Sequence, residues 1–211
     1  MKTPFDTRRE FEDTLDHIAT AFDKVHALSG MHQPLHFPDL HKLSEGLFLS
    51  AWTHWEGLCR NLMLIDLATL TGSALKHEVK TFRTKNAPFR LAERMLNHPD
   101  HPDRFIEWND YSAVKRRADT FLIAGHRFVS LGGLETDVTN MKRIRNAIAH
   151  KSDKAWESFR SLALSPPFSL SANQLKGITA GRFVSSHQWS GDFVLKTALV
   201  KLKECAVLLV P

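Results

Sequence analysis

Over two long stretches of this chain the apolar residues recur at steps of three and four. In residues 7–29 they are Phe11, Leu15, Ile18, Phe22, Val25 and Leu28. In residues 40–71 they are Leu43, Leu47, Ala51, Trp55, Leu58, Leu62 and Ile65. A period near 3.6 gathers each set on one face of an α-helix, whereas a strand would scatter it over both faces. Gly30 is a stop for the first helix, and Asp39 and Gly72 read as the N-cap and the end of the second. Phe48, Trp52 and Leu64 widen the second stripe, which predicts a central helix. Two long helices that must cover one another constrain the chain to a helical bundle.

The remaining segments are shorter. Asn86 and Pro88 signal a short helix through Leu96, the Pro-rich run His98–Asp103 reads as a loop, and 103–124 reads as helical with a poorly defined period. Gly132-Gly133 breaks the chain. A helix is expected over about 135–150, and another from a Ser152 or Asp153 cap to Leu164, stopped by Pro166-Pro167. Residues of about 165–190 alternate weakly and predict a small irregular arm or hairpin, followed by a last helix over about 191–209. There is no internal repeat. The expected fold is all-α, with residues 1–211 forming a single helical domain of long antiparallel helices.

Composition narrows the class further. With 43% apolar and 24% charged residues, the chain has the balance of a soluble globular protein. Its most apolar stretch, Leu47 to Leu70, carries His54, Glu56, Arg60, Asn61 and Asp66, so no membrane span or membrane partner is expected. The start, Met1 to Asp6, lacks the apolar core of a secretory signal. Cys59 and Cys205 are isolated and form no CxxC pair or disulfide framework, which fits a reducing cytoplasm. The net charge of +5 permits a polyanionic partner without demanding one. The densest basic clusters are Lys115-Arg116-Arg117 and Lys142-Arg143 with Arg145, and such clusters also describe ordinary solvated helix faces.

The stretch that points to chemistry is Arg145-Asn146-Ala147-Ile148-Ala149-His150. An arginine holds a phosphate by paired hydrogen bonds, and a histidine moves a proton near neutral pH. On a helical wheel Leu134, Val138, Met141, Ile144 and Ile148 share one arc, predicted to be buried, with Arg145 at its border. Asn146 and His150 share the polar side with Thr139, Lys142 and Arg143. Arg145 and His150 stand about 140° apart on a regular helix. That loose fit within one chain favours a site completed by a second copy across a dyad. A plain structural reading competes, because cations near a helix C-terminus also suit its dipole.

This stretch resembles the signature of the HEPN superfamily, all-α domains with an arginine, usually a following polar residue, and a histidine after four to six intervening residues. Asn146 fills the polar position and Ala149 the position before the histidine. The match is similar to the RiboL-PSP-type HEPN nucleases, in which an earlier helix carries a Trp-Glu pair, here Trp55-Glu56. Many HEPN toxins paired with nucleotidyltransferase antitoxins have a tyrosine two residues past the histidine. Here that place is Ser152, and the chain's one tyrosine is Tyr111. Lys151 stands where a small residue is often found.

The resemblance implies a metal-independent endoribonuclease acting as a homodimer with a composite active site, in a defence or toxin role, with RNA as substrate and an antitoxin or sensor protein as a further partner. The RNA 2′-hydroxyl attacks its own phosphate, leaving a 2′,3′-cyclic phosphate. His150 is then the general base or acid, Arg145 stabilises the developing charge, and Asn146 orients His150 or the phosphate. Glu56 holds Arg145 or acts on His150, or is simply a surface carboxylate beside Arg60. Lys142, Arg143 and Lys151 are the expected RNA-binding charges. The rival is a non-catalytic HEPN-like module that binds RNA, a nucleotide or a protein partner.

Other candidates are weaker. His98 and His101 with Asp100 and Asp103 form a loose cluster without a second pair at ligand spacing, so no metal is expected. His32, His36 and His41 straddle prolines and read as loop residues, and His54 reads as a surface residue. No P-loop, GxGxxG or GxSxG pattern occurs, and no cofactor is expected. The five tryptophans sit in positions that suit core packing better than base stacking.

Overall fold

The computed structural model describes residues 2–69, 92, 93, 96, 108–129 and 131–211. Helix α1 runs over Pro4–Ala27. It begins earlier than its apolar period suggests because Thr3 and Asp6 cap it reciprocally. The Thr3 hydroxyl accepts from the Asp6 N–H at 3.1 Å, and the Asp6 carboxylate accepts from the Thr3 N–H at 3.0 Å. Pro4 then occupies the first turn, where its missing donor costs nothing.

Helix α2, Phe37–Ala68, also starts ahead of expectation. Asp39 is not its N-cap residue but lies in the first turn and accepts from the His36 N–H at 2.9 Å. The predicted stripe holds from Ala51 onward. Nearer the start the helix turns Leu40, Ser44 and Phe48 inward, while Leu43 is exposed. Trp52, Trp55, Leu58, Cys59, Leu62 and Met63 are almost wholly buried. Helix α2 packs against α1 and four later helices, as a central helix should.

Helix α3 spans Tyr111–Phe121, shorter than the predicted 103–124, because Asp110 caps it through the N–H groups of Ser112 and Ala113. Residues 103–107 of that expectation, the His98–Asp103 loop and the Gly72 stop lie outside the described residues. So does most of the short helix predicted through Leu96, of which Ala92, Glu93 and Leu96 are helical. Two 3-10 turns, Arg127–Val129 and Gly132–Leu134, lead into α4, Glu135–Ala149. Helix α5 covers Asp153–Leu164 and is capped by Ser152.

The expected arm differs from its reading. Residues 165–178 are irregular, but Ala180–Ser186 form a short helix, α6, capped by Thr179. A two-residue antiparallel hairpin follows, β1 (Gln188–Trp189) with β2 (Asp192–Phe193). Helix α6 is buried through Ala180, Gly181, Phe183 and Val184, and seven residues are too few for a readable period. It lies so close to α2 that a Cβ on Gly181 would fall 2.5 Å from the His41 carbonyl oxygen and 2.8 Å from Glu45 Oε1. Helix α7, Val194–Leu209, closes the bundle on α1, where Lys196 and Lys203 pair with Asp23 and Asp16.

The described chain is therefore all-α apart from the small hairpin. No described helix is long and apolar enough to cross a membrane. Cys59 and Cys205 are buried free thiols, and burial pushes that of Cys205 up to about 12.

Gly181→Ala should force a side chain into backbone. It is expected to destabilise the protein by roughly 1–3 kcal/mol, the usual cost of overpacking. Urea denaturation checks this, and an unchanged midpoint would mean that α6 does not sit against α2 this closely.

Candidate functional site

Helix α4 presents the hexapeptide. Val138, Met141 and Ile144 are buried, with Asn140 beside them, which fixes the helix rotation. Leu134 and Ile148, also predicted for that stripe, pack at the edge of the core. Arg145 lies at the border as the wheel requires, with its side chain 21% exposed.

The helix ends at Ala149, not at His150. His150 is the C-cap, with φ −118° and ψ 108°, an extended backbone. On a continued helix its side chain would stand about 140° from Arg145. In the extended conformation the ring folds back over the last turn instead, and its Nε2 lies 3.1 Å from Arg145 Nη1. The same Nη1 donates to Asn146 Oδ1 at 3.2 Å. The expected looseness within one chain is thereby corrected: helix termination frees His150 from the wheel and brings the three side chains together. A guanidinium only donates, so Nε2 is the acceptor in this bond and the neutral ring carries its proton on Nδ1.

Glu56 of α2 faces the same arginine. Its Oε1 lies 3.9 Å from Arg145 Nη2, and the carboxylate side chain is 25% exposed. At that separation the contact is one of charges and not a hydrogen bond, but partial burial reduces screening by salt. Arg60, the alternative partner of Glu56, pairs with Glu93. Trp55, next to Glu56, is locked in the core and holds this turn of α2 in place.

The basic residues beside the motif separate into two kinds. Lys142 Nζ donates to Asp110 Oδ2 at 2.7 Å, which ties α4 to the cap of α3. This hydrogen bond from Lys142, aided by the cap N–H groups, holds the Asp110 carboxyl below its ordinary value. Arg143 donates through Nε to Ser158 Oγ at 3.1 Å and through Nη2 to the Ser158 carbonyl, joining α4 to α5. Both cations thus have structural work within the chain. Lys151, one residue past the imidazole, is exposed. Tyr111 stands apart from this chemistry, since its buried hydroxyl donates to the Phe128 carbonyl at 2.9 Å.

His150 also lines a cleft of about 350 Å³. Lys151, Trp156, Thr179, Lys42 and Glu45 form its polar and aromatic wall. Sequence reasoning did not single out the cleft residues Lys42, Glu45 and Thr179, and Trp156, expected to pack in the core, packs against it while also lining the cleft. No local signal marked them, because α6, read as part of an irregular arm, is what brings Thr179 against α2. Among the described residues no group of three His, Cys, Asp or Glu side chains is placed to hold a metal ion.

The Lys142–Asp110 pair makes a pH-dependent prediction. A carboxyl held low in the folded state stabilises it above the ordinary value of 3.8 and loses that contribution as pH falls through the folded value. Lys142→Met should move the Asp110 titration, followed by carbon NMR, up toward the ordinary value. It should lower stability at neutral pH, with a deficit that shrinks in acid. An unmoved Asp110 titration would mean that Lys142 is not committed to this contact.

Comparison with protein-family models, with curated proteins and with solved structures finds no match.

Proposed function

We propose that the protein is an endoribonuclease of HEPN type. The observation that carries this reading is the convergence of Arg145, Asn146 and His150 at the end of α4, with Glu56 facing the arginine from α2. Arg145 keeps further N–H donors for two phosphoryl oxygens. When RNA binds, Arg145 turns from His150 to the phosphate, which frees the Nε2 lone pair to take the proton of a ribose 2′-hydroxyl. The 2′-oxygen bonds to the adjacent phosphorus as the bond from phosphorus to the 5′-oxygen breaks. The leaving 5′-oxygen takes a proton from solvent water, His150 returns the one it took to solvent, and the products are a 2′,3′-cyclic phosphate and a 5′-hydroxyl. Arg145 neutralises charge as it develops on the phosphoryl oxygens. Glu56 positions Arg145, and Asn146 limits the directions the guanidinium can take. No step uses a metal ion, so the reaction should proceed in EDTA.

Lys151 is the best placed of the three expected RNA-binding cations, since Lys142 and Arg143 already bind within the chain. The proposed homodimer now rests on the HEPN resemblance alone, because the Arg145–His150 pairing forms within one chain and does not call for a second copy. A role in defence, with an antitoxin or sensor partner, rests on the same resemblance.

His150→Ala should lower single-turnover RNA cleavage about 10²-fold or more, as removal of a general acid or base does. Arg145→Ala should lower it comparably through poorer charge stabilisation. Both variants should keep the wild-type circular dichroism, since neither residue belongs to the buried stripe. Full activity of His150→Ala would overturn the reading. Light scattering at micromolar concentration tests the dimer separately, and an active monomer would remove it.

A further inference from the structure

We propose that the cleft beside His150 is a base-binding subsite that selects guanine, with Trp156 as the stacking surface and Glu45 as the reader of the base edge. The inference relies on the ribonuclease reading only for the position of the phosphate. His150 contacts Arg145 and also lines the cleft. A phosphate held by that pair therefore places its nucleoside at the mouth of the cleft.

The walls suit a base. Ala147, Ile148 and Ile178 supply apolar surface. Trp156 lines the cleft and is half-buried, and its ring packs on Phe159 at 5.1 Å between centroids, which steadies the indole. Stacking on such a surface accepts any base, so selection falls to Glu45. Its carboxylate is fixed in place, with the side chain only 17% exposed. Oε1 accepts the Gly181 N–H at 3.1 Å, and Oε2 accepts Lys42 Nζ at 2.6 Å. Gly181 is needed for this, since a Cβ there would crowd Oε1.

A carboxylate only accepts, and each oxygen keeps a further lone pair. The matching base edge must donate twice, side by side. Guanine does so through N1–H and its 2-amino group. Hypoxanthine lacks the amino group, and uracil offers a single N–H flanked by carbonyls that would face the carboxylate. Lys42 is 71% exposed, and an ion pair at the rim costs little to rearrange when the base enters.

The test uses the full chain with guanosine, inosine and uridine monophosphates, read by calorimetry and by amide NMR shifts. Guanosine monophosphate should bind about tenfold or more tightly than inosine monophosphate, the value of one hydrogen bond to a charged acceptor. Its shifts should centre on Glu45, His150, Trp156 and Thr179. Glu45→Gln should erase the preference, and Trp156→Ala should weaken all three ligands alike. If either variant unfolds, the wild-type ranking and shift map decide alone. Equal affinities, or shifts away from the cleft, would overturn the proposal. Guanine-selective binding without RNA cleavage would keep the subsite and remove the ribonuclease. Cleavage without guanine selectivity would do the reverse.

Discussion

Trp52, Trp55, Leu58, Cys59, Leu62 and Met63 of α2 are almost wholly removed from solvent, so that helix is covered on more than one face. Burial of each large apolar side chain contributes roughly 1.5–3 kcal/mol, and no other described helix buries so many. The surrounding helices take their places against α2: α1 and α7 pair with each other beside it, and α4 and α6 approach it from the later part of the chain. Two charged residues ride on this buried frame. Glu56, beside Trp55, meets Arg145, and Glu45, fixed by Gly181, forms the wall of the cleft. The candidate site is thus held partly by the core.

The local electrostatics are not those of a simple basic patch. The net charge of +5 and the run Lys142-Arg143 suggest a footprint for a polyanion. The structure commits Lys142 to the cap of α3 and Arg143 to Ser158 of α5. What remains near His150 is Arg145, balanced by Glu56, the exposed Lys151, and Lys42, which pairs with Glu45 in the cleft. Under the proposed function, such an arrangement suits contact with one phosphate better than broad attraction to a strand.

The long helices were legible because their apolar period persists over many turns. Their starts were not, because the caps decide them: Thr3 with Asp6 extends α1, and His36 with Asp39 extends α2. Helix α6 was missed for want of length, and with it the cleft. The hexapeptide was visible as a set of residue types, but its geometry was not. A regular wheel separates Arg145 from His150, and only the end of α4 at Ala149 allows the ring to turn back. Wheel arguments fail in this way at any helix terminus, where one extended residue redirects the side chain that carries the chemistry.

The proposed reaction is tested most directly by the chemistry of the ends it leaves. A short RNA would be cut by the purified protein in EDTA, and the fragments weighed by mass spectrometry. A second substrate would carry a single 2′-deoxy nucleotide at the cut position. The account predicts a 5′ fragment with the mass of a 2′,3′-cyclic phosphate and a 3′ fragment with a free 5′-hydroxyl. It also predicts no cut at the deoxy position. A 5′-phosphate on the 3′ fragment, or cleavage that ignores the missing 2′-hydroxyl, would contradict it.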